Sequence, residues 1–133
     1  MTQIFQPIET CLGVISGRDA IYLDNIHFDY SKHFVQFVGE INGHLCSINS
    51  ENAEFIKYTL SFSGLLSFKM IELDFEDYKG NSSFDEVINS EWISQMRKYD
   101  SASKVKPEHK HYFLRTYDDI FEIVCKNYEL KIT

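Results

Sequence analysis

The chain has 133 residues, 44% of them hydrophobic, and carries 13 basic against 20 acidic side chains, a net charge of −7. At this length a single β-rich domain spanning residues 1–133 is expected, with enough interior to fold without disulfide or metal staples. The acidic balance argues against nucleic acid as a partner, because phosphate binding needs a basic surface.

Cys11, Cys46 and Cys125 are odd in number and form no C-x-x-C, which argues against a secreted disulfide framework. The opening residues, MTQIFQPIETCLG, have neither a basic nor an apolar signal region, and no apolar run approaches the roughly 20 residues of a membrane span. A soluble cytoplasmic protein without membrane contact is expected. Aromatic content is 15%, with 11 Phe and 8 Tyr. Together with the near absence of alanine, this favours sheet over helix bundle.

Ile4, Phe5 and Ile8 suit an edge strand, which tolerates Pro7. Gly13 and Gly17 mark turns. Ala20 to Tyr30 reads as one or two short strands, followed by a turn at Tyr30-Ser31-Lys32. Phe34 to Ile41 is a further strand, and Asn42-Gly43 after it is a strong hairpin signal, with His44 to Ile48 as the return arm. Asn49 to Asn52 is a polar loop.

Glu54 to Asp77 is the longest structural signal. Ile56, Tyr58, Leu60 and Phe62 alternate with polar residues, the period-2 pattern of a half-buried strand. The pattern resumes at Leu66, Phe68 and Met70, then changes phase to Ile71, Leu73 and Phe75. The parity predicts a hairpin closed by a three-residue loop of Phe62, Ser63 and Gly64, pairing Leu60 with Leu66 and Tyr58 with Phe68. The phase change predicts a β-bulge near Met70-Ile71.

Ser83 and Glu86 have capping-box spacing, and Phe84, Ile88, Trp92 and Met96 recur every four residues. An amphipathic helix from about Phe84 to Tyr99 is predicted. A competing reading starts it at Ser90, because Val87 and Ile88 are β-branched. The stripe is expected to cover the apolar face of the central hairpin, with Trp92 buried. His111 to Thr116 and Ile120 to Lys126 are strands around a turn at Tyr117-Asp118-Asp119. The phase shifts again beyond Asn127, so a bulge or tight turn is expected at Lys126-Asn127. The fold class is therefore α+β: a mostly antiparallel sheet, as a sandwich or partly open barrel, with one late amphipathic helix packed on it.

No G-x-S-x-G, P-loop or G-x-G-x-x-G is present, so the residues identify no catalytic set and imply no cofactor. His109 and His111 would share one side of a strand, but with no further ligand cluster adjacent they read as surface histidines and no metal site is assigned. Cys46 lies close to His44 but without an obvious orienting acid. Cys11 and Cys125 read as small core hydrophobes. Glu72, Asp74 and Glu76 would share a strand face, read either as its wet side or as a carboxylate cluster.

Charge is segregated. Seven acids stand against one base from Glu72 to Glu91, and six bases against two acids from Met96 to Arg115. Glu72, Asp74, Glu76, Asp77, Asp85 and Glu86 are accordingly the candidate partner-binding residues, facing a basic protein. The alternative is a small-molecule-binding protein or enzyme with a pocket between sheet and helix.

Two stretches, SSFDEVINSEWI (Ser82 to Ile93) and HYFLRTYDDIFEIVCKNYELKI (His111 to Ile132), resemble small bacterial proteins of uncharacterised function, some of them encoded beside polymorphic-toxin genes. The resemblance covers about a quarter of the chain and transfers no functional residue. It implies a bacterial cytoplasmic β-rich domain and a non-enzymatic binding role, that of an immunity-type inhibitor whose acidic surface meets a basic toxin domain.

Overall fold

The structure, a computed structural model, describes residues 2–48, 54–75 and 78–133. Its strands are β1 (Ile4–Pro7), β2 (Ile21–Asp29), β3 (Phe34–Asn42), β4 (Phe55–Ser63), β5 (Ser67–Glu72), β6 (Phe84–Ile88), β7 (Lys110–Arg115), β8 (Asp119–Cys125) and β9 (Asn127–Ile132), with a helix α1 (Glu91–Lys98). They form a five-stranded sheet ordered β1-β6-β7-β8-β5 and a four-stranded sheet ordered β2-β3-β4-β9. Every pairing is antiparallel. The expected α+β architecture is thus a two-sheet sandwich with one late helix. Among the described residues no helix is long and apolar enough to cross a membrane.

One core lies between the sheets. Val35, Phe37, Tyr58, Leu60 and Phe62 come from the four-stranded sheet, and Phe84, Tyr112, Leu114, Phe121 and Ile123 from the other. Phe37 meets Phe121 edge-on at 4.9 Å and Phe62 at 5.6 Å, the arrangement that aromatic quadrupoles favour. Tyr58 is also enclosed, and its hydroxyl donates to the Tyr22 carbonyl at 3.1 Å, so its polar end is satisfied.

The central hairpin does not form. β4 and β5 belong to different sheets, and Phe62 is a fully buried core residue paired with Val35 and Tyr128. Alternation reports which residues share a face, not which strand lies beside them. Gly64, at φ +66°, instead turns the chain from one sheet to the other. A second crossing lies beside it: Lys126 N–H donates to Ser63 O at 3.0 Å, and β8 passes into β9 there. The phase shift expected at Lys126-Asn127 is this change of sheet.

The phase change at Met70-Ile71 has a related cause. β5 pairs with β8 from Ser67↔Val124 to Glu72↔Asp119 without a shift, so there is no bulge. The five-stranded sheet carries apolar residues on both faces. Phe68 packs into the inter-sheet core, while Ile71 packs on the outer cluster of Val87, Phe113 and Ile120. A bulge does occur in β2, between Leu23 and Asn25. Opposite it Gly39 is required, since a Cβ there would lie 1.9 Å from the Tyr22 carbonyl oxygen.

Asn42-Gly43 makes no hairpin either. Gly43–Leu45 is a 3-10 turn whose His44 N–H is held by Asn42 Oδ1, and Cys46 forms a lone bridge with Ile15. The polar loop expected at Asn49 to Asn52 lies outside the described residues.

The helix follows the competing reading. Phe84 to Ile88 is strand β6, and Ser83, fully buried, donates its hydroxyl to Gly17 O instead of capping. β-Branched Val87 and Ile88 favour the strand. Asn89 at φ 56° turns the chain, and Ser90 is the N-cap. With its first turns lost to β6, the four-residue stripe is broken. Helix α1 docks on the outer face of the five-stranded sheet, not on Tyr58 and Leu60, and its buried residue is Ile93 while Trp92 is half-buried. Ile93→Ala should therefore cost about 2–3 kcal/mol, and Trp92→Ala less, about 1–2 kcal/mol. Urea melts of the two variants check the order; a larger loss at Trp92 would contradict this docking.

Candidate functional site

Helix α1 is positioned by its first turn. Ser90 Oγ accepts from Ile93 N–H at 3.1 Å, Gln3 Oε1 accepts from Glu91 N–H at 2.9 Å, and Asn89 Nδ2 donates to Thr2 O at 3.1 Å. The N-terminal segment thus straps the helix start to the sheet edge and satisfies donors that have no intrahelical partner.

Beneath the cap lies His111, on the outer face of β7 and 3% exposed. Its Nδ1 is 2.7 Å from Ser90 Oγ, and its Nε2 is 2.9 Å from Glu122 Oε1 on β8. Lys69 of β5, paired in register with Glu122, reaches its other carboxylate oxygen at 3.0 Å and lies 5.3 Å from the Trp92 ring centre. Trp92 stands edge-on to His111 at 5.2 Å. Burial acts to raise the pKa of Glu122, but the hydrogen bonds from His111 and Lys69 outweigh it and hold the carboxyl below its ordinary range. Glu122 is then an acceptor only, so His111 Nε2 carries a proton toward it. In the neutral ring, Nδ1 is left to accept the Ser90 hydroxyl proton. The result is a directed chain from Ser90 through His111 to Glu122, anchored by Lys69.

A cleft of about 470 Å³ opens beside this chain, between one face of α1 and the adjoining ends of β6 and β7. Ser90, Ser94 and Arg97 line it from the helix, at the spacing that puts them on one side. Lys110 and His109 line it from the β7 end, and Glu86 from β6. Lys110 Nζ is 3.7 Å from Glu86 Oε1. Among the described residues Arg97 makes no ion pair. His109 accepts from Lys106 N–H through Nδ1 at 2.7 Å, and burial, followed by the Lys126 charge, lowers its affinity for a proton.

No family model, curated protein or solved structure matches the chain.

Among the described residues the acidic set does not form one surface. Glu72 ends β5 and is exposed, as is Asp74, but Leu73–Phe75 is a 3-10 turn, so the regular alternation stops at Glu72. Asp85 is fully buried. It accepts from Asn81 N–H at 2.7 Å, Ser82 N–H at 3.3 Å and the Ser82 hydroxyl at 2.5 Å, so it organises the approach to β6 and is closed to a partner. Glu86 is half-buried and engaged by Lys110. Glu76 and Asp77 lie outside the described residues. Similar corrections apply elsewhere. His109 and His111 are buried, each with Nδ1 engaged. His44 is exposed on the 3-10 turn, away from any strand face shared with Cys46. Cys125 is the core residue expected, its thiol pushed up to about 12 by burial, but Cys11 is exposed rather than in the core.

Sequence reasoning missed Ser90, His111 and Glu122 as a unit because they sit on three elements, 21 and 11 residues apart. One signal was present. Glu122 is the lone acid in the apolar run from Ile120 to Val124, and a carboxylate in a strand buried on both faces needs a partner.

Proposed function

We propose that the protein is a ligand-binding protein that takes an anionic group into the cleft between α1 and the β6–β7 ends. The observation that carries this reading is the convergence of Arg97, Lys110 and His109 on a cavity of about 470 Å³ whose wall also offers the Ser90 hydroxyl. Among the described residues the Arg97 guanidinium has no carboxylate partner, and beside hydroxyl groups it suits a carboxylate or phosphate. The cavity volume suits a small ligand. In a nitrogen–proton NMR titration with inorganic phosphate, the amides of Ser90, Ser94 and His109 should shift together and saturate. Arg97→Glu, an exposed substitution costing no more than about 0.5 kcal/mol of stability, should abolish the shifts. Shifts scattered over the surface, or unchanged in Arg97→Glu, would overturn the reading.

A second reading is the immunity-type inhibitor that engages a basic toxin domain. It is favoured by Phe75, 75% exposed beside exposed Asp74, in the 3-10 turn that follows edge strand β5 and its exposed last residue Glu72. An exposed aromatic flanked by acids suits a basic apolar partner. Capture of a basic protein from the native host that weakens in high salt and is lost in Phe75→Ala supports it; capture insensitive to both does not.

A further inference from the structure

We infer that Ser90 is an acyl-accepting nucleophile activated by His111 and Glu122. Its substrate class would be esters whose acyl or alcohol part carries a negative charge. The substrate class rests on the cleft reading above; the assignment of the nucleophile rests on separate geometry.

An N-cap serine needs only to accept a backbone N–H, and Ser90 does so from Ile93 at 3.1 Å. That bond leaves its own proton to be placed, and the acceptor 2.7 Å away is an imidazole nitrogen. The other ring nitrogen is 2.9 Å from a Glu122 oxygen, and Lys69 reaches the second oxygen of that carboxylate at 3.0 Å. Nucleophile to base, base to orienting acid: both contacts have the reach that such a relay requires. The ring nitrogens are used in the opposite sense to the familiar serine hydrolases. The chemistry asks only that one nitrogen face the hydroxyl and the other the carboxylate. The ring is fixed at both nitrogens and flanked by Trp92, so the base is held in one orientation. Ser90 and His111 both belong to the wall of the cleft, where Arg97 and Lys110 can hold the substrate's charge.

In the reaction, Ser90 Oγ attacks the ester carbonyl carbon as its proton passes to His111 Nδ1. The tetrahedral intermediate expels the alcohol, which leaves with that proton. Water then attacks the acyl-serine, giving up a proton to His111. Ser90 Oγ departs from the acyl carbon and takes that proton back. The balance is ester plus water to carboxylic acid plus alcohol.

The test is to incubate the full chain with an alkyl fluorophosphonate, which loses fluoride to an activated serine, and to follow intact mass and the labelled peptide. Labelling of the wild type should be stoichiometric and map to Ser90. It should be absent in Ser90→Ala, and slowed about a hundredfold or more in His111→Gln. The mapped position in the wild type decides the matter even where a variant folds poorly. No adduct, an adduct on another residue, or an unchanged rate in His111→Gln would overturn the assignment. The phosphate titration separates the two claims: an adduct at Ser90 without phosphate binding leaves the nucleophile and removes the anionic substrate class, while phosphate binding without an adduct does the reverse.

Discussion

Phe62→Ala should lower the free energy of unfolding by about 3–5 kcal/mol. The side chain is fully buried between the sheets. It meets Phe37 edge-on at 5.6 Å within its own sheet, and from the opposite sheet it contacts Phe84 at 6.2 Å and Tyr112 at 5.8 Å. Truncation removes the apolar transfer energy and leaves a hole bounded by strands on both sides, which can collapse only in part. A domain's whole stability is about 5–15 kcal/mol, so the loss is a large share of it. The urea midpoint should fall sharply with the slope unchanged. A Phe62 in the loop of a hairpin would make no such difference, so an unchanged midpoint would contradict the sandwich at this corner.

Asp85→Ala should be nearly as costly, about 3–5 kcal/mol, for a different reason. The carboxylate accepts from two backbone amides and the Ser82 hydroxyl, and all these groups lie in the bend that leads into β6. Deleting the acceptor strands the enclosed donors, each at about 1–3 kcal/mol. Asp85→Asn keeps one oxygen but turns an amide NH₂ toward donors, so it should recover only part of the loss. Chemical denaturation of the two variants gives the comparison. A surface acid would cost no more than about 0.5 kcal/mol on replacement by alanine, and that outcome would return Asp85 to the acidic face where its sequence neighbours place it.

These residues show what a linear pattern carries. Phe62 was read correctly as the apolar end of an alternating strand and wrongly as a turn residue, because Ser63-Gly64 looks the same whether the chain doubles back or crosses to another sheet. Asp85 was grouped with acids close to it in sequence, but charge counted along a chain does not distinguish a wet carboxylate from one folded under a loop. Ser90 was available as the alternative helix start. It displaced the capping box at Ser83 because two β-branched residues, Val87 and Ile88, both paired with β1, outweigh four-residue spacing.

The sequence by itself determined the α+β class, the edge position of the first strand, the late helix and the separation of acidic from basic segments, since these follow from periodicity, proline and composition, which are local. Tertiary structure alone decided that β4 and β5 part company, that the helix covers the outer face, and that Ser90, His111 and Glu122 meet. Each of those depends on strand neighbours distant in sequence, and the face pattern of a strand is the same whichever neighbour it has.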